Sequence, residues 1–291
     1  MRTIRDILEA EGIPHVGAEH RHGRPGWVQV DCPWCGQGTN KFHLGISLST
    51  GAAVCWRCGN KSTAATLARL SGRPLATMRD AIGGVVLAAP QVRVTGRLVV
   101  PRGVGPMLSG HMAYLTARGY DAASVAALWG VQGIGQAAKL AWRLYVPIYH
   151  HGEVVSWTTR SIKPRERVRW VSAGYEQEAV HHKDILYGAD YARHAVVVHE
   201  GPTDVWATGP GAVATCGTGY TAAQLRLLAR YVMRVVCFDA EPAAQARARG
   251  LADALSPYPG ATHNVVLETG KDPAEADPAE IAELRAAYLD F

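Results

Sequence analysis

A chain of 291 residues, 48% apolar and 19% charged, is long enough for one large domain or two small ones, which excludes both a disulfide mini-protein and wholesale disorder. No run of eighteen apolar residues occurs, so no membrane-spanning helix is expected, and the acids Asp6 and Glu9 break up the opening segment as a secretory signal would not. The net charge of +5 is unevenly spread: residues 1–73 carry +4 (9 basic, 5 acidic), 74–199 carry +6 (14 and 8), and 200–291 carry −5 (7 and 12), a basic track leading to an acidic end that suits metal and polyanion together.

In chain order, Met1–Glu9 reads as an amphipathic helix. Trp27–Val30 and Phe42–Leu48 alternate as half-buried strands do, and Ser62 is placed to cap a helix over Thr63–Leu70. Residues 76–106 include a Gly-, Val- and Pro-rich stretch without helical period and read as a linker between a domain over 1–75 and a second region. Helices are expected over His111–Arg118 and, capped by Asp121, over Ala122–Trp129. Strands are expected over Trp142–Tyr149 and 153–162, and again at Trp170–Val171. Beyond residue 190 the pattern changes. Short apolar runs at Ala195–His199, Ala212–Thr215, Val232–Phe238 and Asn264–Leu267 alternate with helical stretches over Tyr220–Arg230 and 243–255, the signature of a parallel sheet covered on both faces. Ligands of such sheets bind at the carboxyl ends of the strands.

Four of the six cysteines, Cys32, Cys35, Cys55 and Cys58, form two C-x2-C pairs nineteen residues apart. That spacing predicts one tetrahedral, four-thiolate zinc site with no open position, structural in role, in a reducing compartment. Trp34, Trp56 and Arg57 lie within or beside the knuckles, with Lys41 and His43 close by. Aromatic rings interleaved with cations suit single-stranded nucleic acid, whose bases stack on rings, although packing against the ribbon would also occupy the tryptophans. The remaining thiols, Cys216 and Cys237, stand alone at the ends of apolar runs and read as core residues.

Glu200 follows the first apolar run of the C-terminal third, and Asp239 and Glu241 follow the third. Carboxylates at strand ends are hard oxygen ligands for Mg2+ or Mn2+, although each taken singly could be a loop acid capping a helix.

The segment Glu200-Gly-Pro-Thr-Asp204 after Val-Val-Val-His, with Cys237-Phe-Asp239-Ala-Glu241 about forty residues on, resembles a Toprim fold, which places a glutamate after one strand and an Asp-x-Asp pair after a later one. The likeness extends outward. Ala214–Thr221 resembles the Gly-Thr segment between those motifs. Arg143–Ile148, Gly152-Glu-Val-Val and Arg160 resemble the basic segment ahead of Toprim in DnaG-type bacterial and phage DNA primases, and Lys183-Asp-Ile-Leu-Tyr-Gly188 their Lys-x-x-x-Leu-Tyr-Gly element. Gly270-Lys-Asp-Pro273 and Tyr114–Gly119 resemble further primase segments, and Cys32-Pro-Trp-Cys, His43-Leu and Cys55-Trp-Arg-Cys-Gly the primase zinc-binding domain.

This resemblance implies a small zinc-ribbon β domain (1–75), a linker (76–106), the N-terminal part of an α/β primase core (107–190), and a Toprim parallel sheet (191–291). It implies synthesis of short RNA primers on single-stranded DNA from NTPs, in the cytoplasm of a bacterium or a phage host, beside a separate replicative helicase and away from membranes. Glu200, Asp239 and Glu241 would hold catalytic Mg2+ or Mn2+, with Asp272 as a further contact. Lys183, Arg143, Arg160 and Arg169 would grip phosphates. Glu241 stands where the family has Asp, and Ala244 where it has Gly. No Walker A sequence is present, so a P-loop helicase activity is not expected. A zinc-ribbon Toprim nuclease or topoisomerase fragment, or a DNA-binding replication module without synthesis, would share the same acids.

Overall fold

The computed structural model describes residues 3–21, 23, 26–48, 51–83, 96–136, 139–217, 219–270 and 272–290. Of the expected features, Met1 and Arg2 of the first helix, part of the linker (84–95), Thr218 of the Gly-Thr segment and Lys271 lie outside the described residues.

The N-terminal domain runs α1 (Ile4–Ala10), β1 (His15–Val16), β2 (Trp27–Val30), β3 (Leu44–Ser47), β4 (Ala53–Cys55), β5 (Gly59–Lys61), α2 (Thr63–Ser71) and α3 (Leu75–Gly83). Its five strands form an antiparallel meander in chain order. A capping box between Thr3 and Asp6 starts α1, which buries Ile4, Ile7 and Leu8 at helical spacing. Those residues meet Val28, Val30, Leu44 and Ile46 from the sheet and Leu67 from α2 in one core. Ser62 caps α2 as expected, accepting from the Ala65 N–H at 3.3 Å, and Gly72 ends it at φ +71°. The start of the expected linker is instead helical: α3 buries Met78 and Ile82 in the zinc-domain core, because their four-residue spacing gives an apolar stripe that the sheet can cover.

A second antiparallel sheet, in the order β10-β9-β8-β7-β6, is built from β6 (Val104–Gly105), β7 (Gln132–Ile134), β8 (Arg143–His150), β9 (Glu153–Ser161) and β10 (Trp170–Ser172), with α4 (Ser109–Thr116) and α5 (Ala122–Trp129) between β6 and β7. Residues 98–104 already belong to this body: the Trp157 indole donates to the Val99 carbonyl at 2.9 Å, and the Val99 N–H donates to the Gln177 carbonyl at 2.9 Å.

The third sheet is fully parallel, in the order β12-β11-β13-β14: β11 (Ala195–His199), β12 (Ala212–Ala214), β13 (Met233–Val236) and β14 (Ala261–Asn264). The helices α6 (Pro202–Thr208), α7 (Ala222–Leu228) and α8 (Pro242–Leu255) connect its strands, and α9 (Pro278–Tyr288) is an addition to the expected elements. Both faces are covered, which is why its strands read as unbroken apolar runs. Val197 and Val235 join the core shared with β8 and α5, while Val196, Val198 and Val236 face the core under α7 and α8. The shared core means that residue 190 marks a change of sheet and not a break in packing.

The fourth strand lies earlier than the apolar run Asn264–Leu267. Its register against β13 pairs Met233 with Ala261 and Val236 with Asn264, and an edge strand needs little apolar surface. Leu267 is buried just after the chain leaves the sheet.

Candidate active site and zinc centre

The parallel sheet sets the carboxylates. Glu200 follows the carboxyl end of β11, Asp239 that of β13, and Asp272 lies on the segment after β14. With Asp204 they line one cavity of about 290 Å³, whose other wall is the antiparallel sheet, with Thr158, Arg160, Trp170 and Ser172, together with Arg118. Sequence reasoning did not assign Asp204 or Arg118 to the site. The available signal for Asp204 was its spacing: Pro202 sits at the first position of α6, so Asp204 falls in the first turn beside Glu200 and accepts from the Gly201 N–H at 3.1 Å.

Crowding shows in the protonation of these acids. Burial pushes the Asp239 carboxyl up to about 6, reinforced by Glu200, Asp272 and Glu241 and opposed by Arg247. Burial also pushes Asp204 up to about 8, with Asp272, Asp239 and Glu200 adding to the effect. Asp272 is raised by burial and by Glu275, and its Oδ1 is buried without a hydrogen-bond partner among the described residues. An orphaned carboxylate oxygen beside acids that resist ionisation is the environment a divalent cation would relieve, so the residues fit Mg2+ or Mn2+.

Glu241 sits apart from the cavity lining. It occupies the position before the first turn of α8 without a capping side-chain hydrogen bond, its side chain 63% exposed and 3.8 Å from Arg247. The same arginine, one further residue missed in sequence, donates from Nη2 to both oxygens of Glu200 at 3.0 and 3.3 Å. Ala244, where a Gly would be usual, lies in the first turn of α8 and is fully buried against the core beside the parallel sheet, where a methyl group is packed and not merely tolerated.

The basic residues divide. Arg160 lines the cavity, its Nε donating to the Tyr114 hydroxyl at 3.1 Å and its guanidinium lying 5.2 Å from the Trp170 ring centroid. Arg143 is only 6% exposed and donates to the carbonyls of Val168 (2.7 Å) and Arg169 (3.1 Å); it braces the β9–β10 connection, since those bonds and its burial turn it away from phosphate. Lys183 is likewise a brace. Its Nζ donates to the carbonyls of Thr215 (2.9 Å), Cys216 (3.3 Å) and Gly219 (2.9 Å), which uses all three ammonium protons and holds the loop that lines the cavity at Cys216 and Gly217. Arg169 is exposed and outside the cavity lining. Cys237 is a buried core thiol, as expected, whereas Cys216 is part-buried on the cavity-lining loop because the chain turns there at φ +54°; burial pushes both thiols up to about 12.

In the N-terminal domain the four knuckle cysteines converge. Cys32 and Cys58 Sγ are 3.5 Å apart and Cys35 and Cys55 Sγ 3.6 Å apart, and all four lie within 4.8 Å of one another. Sulfur separations of this size are those of thiolates about 2.3 Å from one tetrahedral zinc. Burial opposes ionisation of Cys55, but the backbone N–H groups of Arg57 and Cys58 hold its thiol down to about 7. Around this centre Trp56 is 66% exposed, its ring edge-on to the buried His43 at 4.6 Å, and Trp34 is 38% exposed with Lys61 and Arg69 within 5.4 Å of its centroid. Arg57 is exposed beside them.

Comparison with known proteins agrees with this architecture. Residues 197–277 match the Toprim-like family. Over 168 residues the chain is 32% identical to a DNA primase of Campylobacter jejuni, covering 53% of this chain and 27% of that relative, so it spans about a quarter of the curated protein. The solved DnaG catalytic core superposes with a TM-score of 0.51 at 22% identity, over 62% of this chain and 74% of that one. The Aquifex aeolicus primase, comprising zinc-binding and RNA polymerase domains, superposes with a TM-score of 0.56 at 16% identity, over 97% and 82%. The chain thus joins a zinc-ribbon domain to a Toprim-like domain at residues 197–277, in the fold of the DnaG-type DNA primases.

Proposed function

We propose that the chain is a DNA primase that makes short RNA primers on single-stranded DNA from NTPs. The observation that carries this is the convergence of Glu200, Asp204, Asp239 and Asp272 from the ends of parallel strands onto a cavity whose opposite wall presents Arg160. Glu200, Asp239 and Asp272 would hold Mg2+ or Mn2+, with Glu241 at the margin. When bound, the metal supplies charge neutralisation at the reacting phosphates. Arg160, oriented by Tyr114 and Trp170, and Arg118 are placed to pair with phosphate oxygens. Asp204 keeps its proton to about pH 8 and so spares the site a further negative charge. Lys183 acts as a positioning residue through the 215–219 loop.

In this reading the exposed Trp34, Trp56 and Arg57 of the zinc domain stack on template bases and choose where priming begins. The partners are the template, NTPs, the growing RNA and a separate replicative helicase, in the cytoplasm. Incubation with an oligonucleotide template, labelled NTPs and Mn2+ tests the reading. Labelled RNA is expected; shortened DNA would indicate a nuclease, and neither product would leave a binding module. Deleting residues 1–83 should retain extension of a supplied primer and abolish template-specific starts.

A further inference from the structure

The segment between β10 and the parallel sheet carries a cluster that the acidic cavity does not use. After the turn Tyr175–Gln177, Glu178 is followed at three and four residues by His181 and His182. Glu178 is fully buried although it is a carboxylate. Its Oε2 accepts from the Ser156 hydroxyl at 2.8 Å and from the His182 N–H at 3.0 Å. The Nδ1 of His182 lies 2.8 Å from Oε2, and the Nδ1 of His181 is in contact with Oε1. The ligand-capable atoms of all three residues lie within 4.8 Å of one another. The two imidazoles keep a margin of solvent access, their side chains being 21% and 13% exposed. The backbone that presents them is fixed to β9: the Ala179 and Val180 N–H groups both donate to the Val155 carbonyl, at 2.7 and 3.3 Å.

We propose that Glu178, His181 and His182 form a second metal site, selective for Zn2+ or a similar late transition ion. Two imidazole nitrogens and one carboxylate oxygen suit such ions better than Mg2+ or Ca2+, which prefer oxygen throughout. Three protein ligands leave a coordination position to solvent, on the side where the imidazoles are exposed. Ser156 orients the carboxylate from behind, as outer-shell donors do at metal centres. The chemistry also accounts for the burial of Glu178. A divalent cation would add a full positive charge beside the hydrogen bonds that the buried carboxylate already accepts. None of the three residues lines the acidic cavity, so this site is separate from the Mg2+ or Mn2+ site and does not depend on the primase reading. Its occupancy would tie down the segment that leads directly into Lys183 and hence into the braced 215–219 loop.

Zinc counting on the full chain tests this. Purified protein equilibrated with micromolar free zinc near neutral pH, then desalted, should hold two zinc ions per chain. His181→Ala/His182→Ala and Glu178→Gln should each hold one, and Cys55→Ser should retain the one at the histidine site. Cobalt titration reads the same site in wild-type protein, without relying on a variant that folds. The four-thiolate site gives intense sulfur-to-cobalt charge-transfer bands, and a second equivalent should add weaker d–d bands without them. A single equivalent of zinc or cobalt in well-folded wild-type protein would overturn the proposal and leave a hydrogen-bonded triad. So would retention of two equivalents by the double histidine variant.

Discussion

Asp239 concentrates the physics of the acidic site in one residue. Its carboxyl rises from 3.8 to about 6 on folding, so the native state binds its proton more tightly than the unfolded chain does. The stability this confers is present at acid pH and is lost as pH rises from about 4 through 6; Asp204, raised to about 8, extends the loss to mildly alkaline pH. The metal-free protein should therefore melt at lower temperature at pH 8 than at pH 5, and added Mn2+ should restore more stability at pH 8, where it no longer competes with protons. A melting temperature that is flat with pH and indifferent to Mn2+ would remove the crowded-acid site. Asp239→Asn should abolish nucleotide transfer while leaving the apo protein as stable or more stable, by about 1 kcal/mol since the group is half in water. An inactive variant that is also unfolded would show a structural role instead. Arg247 gives an independent handle. Its guanidinium now neutralises Glu200, so Arg247→Gln should tighten Mn2+ binding several-fold by electron spin resonance, and weakened binding would mean that the arginine shapes the site without competing for it.

At the scale of elements, the connection into the parallel sheet is held by backbone geometry. Tyr187 forms an isolated bridge with Ala214, its N–H and carbonyl both bonded at 3.0 Å, and the next residue, Gly188, turns the chain at φ +81°. A Cβ at Gly188 would lie 2.7 Å from the Ala212 carbonyl oxygen. Gly188→Ala thus combines backbone strain with a steric clash against an element that cannot move cheaply, and should cost about 2–4 kcal/mol, read as a fall in the denaturation midpoint. A loss under about 0.5 kcal/mol would show that the turn relaxes. The glycine that ends Lys183-Asp-Ile-Leu-Tyr-Gly188 is required by this turn, whatever ligand the site holds.

At the scale of the molecule, two cores fold around different sources of stability. The N-terminal core is small and takes in three of the four knuckle thiols, Cys32, Cys35 and Cys55, whereas residues 115–284 share a large apolar cluster. Between them lies a cavity of about 180 Å³ lined by Trp27, Ala64 and Ile82 on one side and Leu225, Ala254 and Tyr258 on the other, beside a weak pair of Arg79 and Asp253 at 3.7 Å with both side chains well exposed. Metal binding at such a centre is folding energy, so Cys55→Ser or chelation should unfold the N-terminal domain and leave the remainder folded. Calorimetry should resolve two transitions, of which only one is sensitive to chelator. A single transition unaffected by chelator would mean that the zinc centre contributes nothing to folding.

The residues alone were sufficient for whatever depends on local pattern. The two C-x2-C pairs announce a four-thiol cluster by spacing, Ser62 and Asp121 cap the helices they precede, and the apolar runs of β11 and β13 announce a sheet buried on both sides, with Glu200 and Asp239 at its ends. Tertiary structure decided what each long side chain touches, because reach and burial depend on neighbours distant in sequence. Arg143 and Lys183 share their charge with Arg160, yet two are consumed by carbonyls 25 to 36 residues away and one faces the cavity. Arg247 meets Glu200 only because α8 folds back over β11, a contact 47 residues apart that no periodicity encodes. Asp204 is four residues from Glu200 in any reading of the chain, but its reluctance to ionise arises from desolvation and from the opposing Asp272 and Asp239, which only the folded sheet brings within range.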